Sequence, residues 1–119
     1  MIRSKLFMSV VAAGVMIAGA AFAGKMDPTI GNTVIMTRAD GSVYEFRHAA
    51  DGTIACTWPD GSVQTGKWVE EGDKVTETSD LDGKAYVYDI SGPERKVGES
   101  WDATDWEGQP AHFELKAGQ

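Results

Sequence analysis

The segment 101–107 concentrates the residue types best able to contact another molecule. It reads Trp-Asp-Ala-Thr-Asp-Trp-Glu, so two indole rings and three carboxylates occur in seven consecutive residues. An exposed Trp beside acidic groups suits contact with a basic partner or with the face of a sugar. We therefore predict a binding site in this segment. Its candidate residues are Trp101, Asp102, Asp105, Trp106 and Glu107.

A structural role for the same two tryptophans is the alternative. Trp101 would end a strand and point inward, and Trp106 would plug the open end of a small barrel. Glycoside chemistry by the neighbouring acids would need a sugar-sized cleft between two carboxyl groups. The wall of a barrel formed by so short a chain has few residues from which to build such a cleft.

The residues that usually carry catalysis are few. The chain has two histidines, His48 and His112, and one cysteine, Cys56. A hydrolytic triad needs a nucleophile, a base and an orienting acid that converge in space, and no known motif supports one here. Cys56 alternates with Ile54 and Trp58, which favours a buried, unreactive side chain. We expect a protein that is not an enzyme.

Metal sites are also poorly supported. Residues 80–83, Asp-Leu-Asp-Gly, resemble the opening of a calcium loop, but Lys84 and Ser91 stand where later ligands are needed. The histidines and the cysteine lack the clustered spacing of zinc ligands. We predict no metal and no cofactor.

The N-terminus has the three parts of a secretory signal peptide. Arg3 and Lys5 supply positive charge, residues 6–21 carry none, and Ala21 and Ala23 place small side chains at the cleavage positions. We predict a signal peptide over 1–23, cleaved after Ala23. The product would then be periplasmic or secreted, with no stable membrane insertion.

The charge of the remaining chain narrows the range of partners. Residues 24–119 carry 9 Lys and Arg against 18 Asp and Glu, a net charge of −9. Such a surface repels phosphate backbones and anionic headgroups, which bind clustered cations. We expect no nucleic-acid partner. The expected partner is an envelope or extracellular protein, or a small ligand.

Recurrent Asp-Gly pairs predict the fold. They begin at positions 40, 51, 60 and 82, and the first three are 11 and 9 residues apart. Asp-Gly favours tight hairpin turns, and this spacing leaves room for one strand between turns. Between them residues alternate, as in 43–48, where Tyr44, Phe46 and His48 share one face. The predicted strands are 32–38, 42–48, 53–58, 62–70, 73–79, 84–90, 96–102 and 111–116.

These strands predict an all-β antiparallel meander, arranged as an up-and-down barrel or a strongly curved sheet, with a sandwich as the alternative. Val63 has an odd number and Trp68 an even one, so in a regular strand their side chains point to opposite faces. A bulge or bend at Gly66 would be needed to bring both inward. We expect a single domain over 32–119 after a flexible lead over 24–31. The longest loop is expected over 102–110.

Three short stretches form a recognisable pattern: 51–53 (Asp-Gly-Thr), 65–68 (Thr-Gly-Lys-Trp) and 71–75 (Glu-Gly-Asp-Lys-Val). They resemble small exported lipocalin-like proteins of bacteria, in which a Gly-x-Trp precedes a Gly-Asp turn. The family's Gly-x-Trp normally opens the first strand, whereas here it falls in mid-domain, and this chain is shorter. The resemblance implies a barrel and does not imply a ligand.

Two functions remain open for such a domain. The first is a non-enzymatic interaction module that uses 101–107 or the barrel mouth. The second is a carrier with an internal apolar cavity for a small molecule, and a small enzyme is a distant third. If Trp58, Trp68, Tyr86 and Tyr88 fill the interior, no room remains for a ligand.

Overall fold

Eight antiparallel strands carry the fold in the computed structural model, which describes residues 24–119. The prediction of an all-β antiparallel meander of about eight strands is confirmed. The strands are β1 (Thr33–Arg38), β2 (Val43–His48), β3 (Thr53–Thr57), β4 (Val63–Glu71), β5 (Lys74–Ser79), β6 (Ala85–Asp89), β7 (Ser100–Thr104) and β8 (Pro110–Lys116).

The eight strands form one sheet in the order β6-β5-β4-β3-β2-β1-β8-β7. Each strand from β1 to β5 pairs with the next one along the chain, β7 pairs with β8, and β8 also returns to pair with β1. This is the order of an up-and-down barrel with one pairing missing, between β6 and β7. We call the line along which these two edges face each other the seam. The sheet is therefore a nearly closed barrel.

The first three Asp-Gly turns share one geometry. In the first of them the backbone N–H of Gly41 donates to the carbonyl of Arg38, whose own N–H donates to the carbonyl of Ser42. Gly41 has a φ of 88°, as a three-residue hairpin loop with a glycine bulge requires. Asp40 accepts hydrogen bonds from the hydroxyl and the backbone N–H of Ser42, and these bonds lower its pKa. The same contacts recur at Asp51 with Thr53 and at Asp60 with Ser62.

The inner face of the barrel is rich in aromatic rings because alternate residues of each strand point inward. Tyr44 packs edge-on against Trp58, and Phe46 packs edge-on against Tyr88, with ring centroids 5.2 and 5.8 Å apart. The buried apolar residues of the core include Val34, Met36, Tyr44, Phe46, Ile54, Trp68, Val75, Tyr88, Phe113 and Leu115.

The bulge expected at Gly66 does not occur. The pairing of β4 with both neighbours is unbroken, and Val63 lies on the outer face with 58% of its surface exposed, while Trp68 is 5% exposed. Gly66 itself faces inward, where a Cβ would overlap the carbonyl oxygen of Thr78. The glycine therefore permits a close approach of two strands, so that the sheet curls there without an extra residue.

The connection before β7 is longer than the sequence suggests. The strand expected over 96–102 begins at Ser100, so the chain has no regular structure over 90–99, and the expected long loop over 102–110 shrinks to 105–109. That short loop repeats the Asp-Gly geometry, because the N–H of Gly108 donates to Asp105 and the N–H of Asp105 donates to Gln109. A Glu-Gly pair occupies the turn, which is why it lacked the Asp-Gly signature.

The lead over 24–31 lies against one end of the barrel. It contains a 3-10 helix, Asp27–Thr29, and it buries Met26, which is 8% exposed. The carboxylate of Glu70 accepts the backbone N–H groups of Lys25 and Met26. The predicted signal peptide, 1–23, lies outside the described residues. Within 24–119 no helix has the length and apolarity needed to cross a membrane.

We expect Gly66→Ala to lower the free energy of unfolding by about 2 kcal/mol or more, because the added methyl group must displace a backbone carbonyl. Urea titration followed by tryptophan fluorescence measures the change. Lys67→Gln, one residue away on the exposed face, is the matched control and should stay within about 0.5 kcal/mol of wild type. Equal stability of Gly66→Ala and wild type would contradict the close approach.

Candidate functional site

Two cavities lie inside the barrel. The larger, of about 140 Å³, lies toward the seam and is walled by Phe46, Tyr88, Trp101 and Phe113, with Ala103 from the edge strand β7. We call it the large cavity. Residues of the connection 90–99 border it on the side of the seam. The smaller cavity, of about 40 Å³, lies beside Cys56 and Trp106. The interior is therefore only partly filled by its aromatic rings.

A carboxylate stands between the two cavities. Glu77 lines both of them, although its residue is only 9% exposed. One of its oxygens, Oε2, lies 2.9 Å from Nε2 of His48, and no other hydrogen bond to Glu77 is formed by residues 24–119. The second oxygen, Oε1, therefore has no hydrogen-bond partner among these residues.

The hydrogen-bond geometry favours one arrangement of protons in this pair. Nδ1 of His48 is buried and has no hydrogen-bond partner in the described part of the chain. An unpaired N–H at that atom would cost more than an unpaired lone pair, since a buried donor needs an acceptor. The tautomer with its hydrogen on Nε2 satisfies this condition and donates to the carboxylate of Glu77, whose negative charge lies inside the barrel.

Two neighbouring groups respond to that charge. Burial, followed by the charge of Glu77, raises the pKa of the Tyr88 hydroxyl, so that this side chain stays neutral. The same two causes raise the pKa of the Cys56 thiol to about 12. Cys56 is therefore a thiol at neutral pH and a poor nucleophile, since the thiolate is the reactive form.

Trp106 of the predicted binding segment packs into the end of the barrel. Its ring meets those of Tyr44, Tyr86 and Tyr88 at centroid distances of 5.4, 5.5 and 6.3 Å. The guanidinium of Arg38 lies 4.4 Å from the centroid of the Trp106 ring. The ring therefore lies within a cluster of aromatic rings at one end of the interior and is only partly available to a partner.

Asp105 anchors this closure. Its carboxylate is 3% exposed by residue and accepts the Nε–H of Arg38 at 2.9 Å and the backbone N–H groups of Glu107 and Gln109. Burial opposes its ionisation, but the N–H of Gln109, the Arg38 guanidinium and the N–H of Glu107 outweigh burial and lower its pKa. The bond to Asp105 in turn raises the pKa of Arg38. The hydrogen bonds of Asp105 therefore hold the loop 105–109 in place against Arg38.

The remaining three predicted residues lie apart from one another. Trp101 is half-buried and stacks on Phe113 at 5.8 Å with an interplanar angle of 8°. Asp102 is exposed and lies 2.9 Å from Nδ1 of His112. Glu107 is exposed and pairs with Arg38. The structure places the two indole rings inward and the exposed acids outward, so the five side chains do not form one exposed surface.

Sequence reasoning did not single out Glu77. The sequence did contain a signal for it. Glu77 lies two residues after Val75 on β5, so both side chains point to the inner face of the sheet. His48 was placed correctly on the face of Tyr44 and Phe46, yet its partner could not be read from one strand alone. A charged residue at an inward position of a strand was the detectable feature.

The acidic side chains do not gather into a metal site. Within the described residues no group of three or more His, Cys, Asp or Glu side chains could hold a metal ion. The chain matches no known protein family, no curated protein and no solved structure.

We expect Asp105→Ala to lower the free energy of unfolding by about 3 kcal/mol, because it removes a buried carboxylate that pairs with the half-buried Arg38 guanidinium and leaves two backbone N–H groups without their acceptor. Thermal and urea denaturation measure the loss. Glu107→Ala removes the exposed partner of the same guanidinium and should cost less than about 1 kcal/mol. Similar losses in both variants would show that Asp105 is not the anchor.

Acid should weaken the same contact. The pKa of Asp105 is lower in the folded state, so its stabilisation is complete above the unfolded value of about 4 and is lost as the pH falls through the folded pKa. We expect unfolding free energies from urea titrations to fall as the pH drops below about 4. The fall should be shallower in Asp105→Asn than in wild type, and Glu107→Gln should keep the wild-type slope. An unchanged slope in Asp105→Asn would contradict this assignment.

Proposed function

We propose that this protein is a non-enzymatic binding protein that carries a small, largely apolar molecule inside its barrel. The observation that supports this proposal is the large cavity, of about 140 Å³, walled by aromatic and aliphatic side chains. An apolar cavity of about this size, roughly 150 Å³, is known to hold benzene. The ligand is therefore the size of a single ring, smaller than the molecules that fill most drug-sized pockets.

The arrangement of the segment 101–107 favours the carrier over the surface interaction module. Trp101 forms part of the cavity wall, and Trp106 packs on three tyrosine rings. An interaction surface would need these rings on the outside, where a partner could bury them. In the proposed function the loop closes the end of the barrel, and ligand recognition takes place within.

Binding is preferred to catalysis because the ionisable groups of the interior are already engaged. Glu77 is the hydrogen-bond partner of His48, and Cys56 is held as a neutral thiol. A hydrolytic centre would need a nucleophile within hydrogen-bond reach of the histidine. A pair that only orients and neutralises a ligand needs none.

The seam provides a route to the cavity. Residues of β6 and β7 border the large cavity, and the described residues form no ladder of hydrogen bonds between these two strands. An exported protein with such a site would take its ligand from the periplasm or the medium. The resemblance to lipocalin-like proteins fits a barrel that carries a ligand but does not identify that ligand.

Filling the cavity tests this function. Ala103 lines the large cavity, so Ala103→Leu should place extra carbon atoms where the ligand would lie. We expect wild type to bind at least one of two single-ring probes, benzylammonium or benzyl alcohol, saturably in calorimetric titration. Ala103→Leu should weaken that binding at least tenfold while the protein remains folded.

The matched control is Ala85→Leu, which makes the same change on the exposed face of the opposite edge strand. It should bind the probes as wild type does. If neither probe binds wild type saturably, or if Ala103→Leu binds as well as Ala85→Leu, the proposed function is wrong.

A further inference from the structure

We propose that the large cavity selects a small organic cation over a neutral molecule of the same shape, with Glu77 pairing with the cationic group. This inference rests on the proposed function and names the chemical class of its ligand. It starts from Glu77, the one charged residue among 24–119 that lines both cavities, which is 9% exposed as a residue.

The free oxygen of Glu77 sets the first requirement. A carboxylate accepts hydrogen bonds and donates none, so a ligand that meets Oε1 must bring a donor. His48 occupies Oε2 at 2.9 Å, and among residues 24–119 no other side chain satisfies the carboxylate. A buried carboxylate with one partner is costly to keep ionised, and a cationic donor reduces that cost more than a neutral hydroxyl does.

The walls of the cavity set the second requirement. The rings of Phe46, Tyr88, Trp101 and Phe113 surround the space next to Glu77. The face of an aromatic ring attracts a cation, and the attraction is strongest where water is excluded. The same rings accept the apolar part of the ligand by ordinary burial. An ammonium group attached to a small hydrocarbon matches both surfaces.

Charges at the rim do not oppose a cation. Lys25 and Arg95 are among the residues that border the cavity, and so are Asp89 and Asp102, so the formal charges of these four residues sum to zero. The ammonium of Lys25 is bound to Asp73 at 2.9 Å, and the guanidinium of Arg95 lies 4.9 Å from the centroid of the Trp101 ring. Glu77 is then the unbalanced charge of the site. Residues 24–119 carry −9 overall, which attracts cations from a distance.

Three probes of one shape test the preference in the wild-type protein. Benzylammonium, benzyl alcohol and benzoate share the ring and differ in the charge of the attached group. We expect benzylammonium to bind at least tenfold more tightly than benzyl alcohol in calorimetric titration, and benzoate to show no saturable binding. Equal affinity for the alcohol and the ammonium would overturn the inference and leave the proposed function standing. Failure of every probe would overturn the proposed function itself.

Substitution then assigns the preference to one side chain. Glu77→Gln removes the charge and keeps an oxygen that can accept from His48, so it should lose at least tenfold in affinity for benzylammonium and less than threefold for benzyl alcohol. Glu114→Gln makes the same charge change on the exposed face of β8 and should bind both probes as wild type does. An unchanged preference for benzylammonium in folded Glu77→Gln, or an equal loss in Glu114→Gln, would overturn the inference.

Melting temperatures measured with and without each probe provide a second readout. Benzylammonium should raise the melting temperature of wild type more than benzyl alcohol does at the same concentration, because a tighter ligand of the native state stabilises it more. If Glu77→Gln proves unfolded at the assay temperature, the wild-type comparison of the three probes decides the matter alone. A larger shift with benzyl alcohol than with benzylammonium would overturn the inference.

Discussion

The ladder between the first strand and the last is the interaction on which the barrel depends. β1 and β8 pair over six residues, from Thr33 with Lys116 to Arg38 with Ala111, and they join parts of the chain more than seventy residues apart. Every other pairing in the sheet joins neighbours along the chain, so local hairpins alone would give an open ribbon. Because this one distant pairing curls the ribbon, the inner face becomes an enclosed interior, and the cavities, the buried Glu77 and the closing loop all follow from it.

The interior combines an aromatic lining with the carboxylate of Glu77. Phe46 meets Tyr88 edge-to-face and Trp101 stacks on Phe113, and these four rings line the space near the seam. Glu77 borders that space, and one of its oxygens is paired with His48. At the opposite end, Asp105 and Arg38 hold Trp106 across the opening. The end that carries Trp106 thus differs from the end bordered by the seam and the connection 90–99.

Most of the fold could be predicted because turn chemistry and alternation act over a few residues. Three Asp-Gly-Ser/Thr turns and the parity of residues such as Tyr44 and Phe46 locate the strands to within one or two positions. The predicted position of β7 was wrong because the turn that follows it, at Glu107-Gly108, lacks the Asp-Gly signature. The prediction that Val63 points inward was wrong because an apolar strand residue need not belong to the core. The candidate site was harder. The direction of Trp106 depends on the anchor between Asp105 and Arg38, and the pairing of His48 with Glu77 depends on strands that meet only after the sheet has curled.

The seam between β6 and β7, which has no hydrogen-bond ladder among the described residues, bears on how fast a ligand would enter and leave the barrel under the proposed function. A fully hydrogen-bonded barrel must break several backbone bonds before anything can cross its wall, whereas here the two edges can separate by bending of the sheet. Under the proposed function, exchange of a bound molecule along this line therefore breaks no ladder of backbone hydrogen bonds among the described residues and needs no global unfolding.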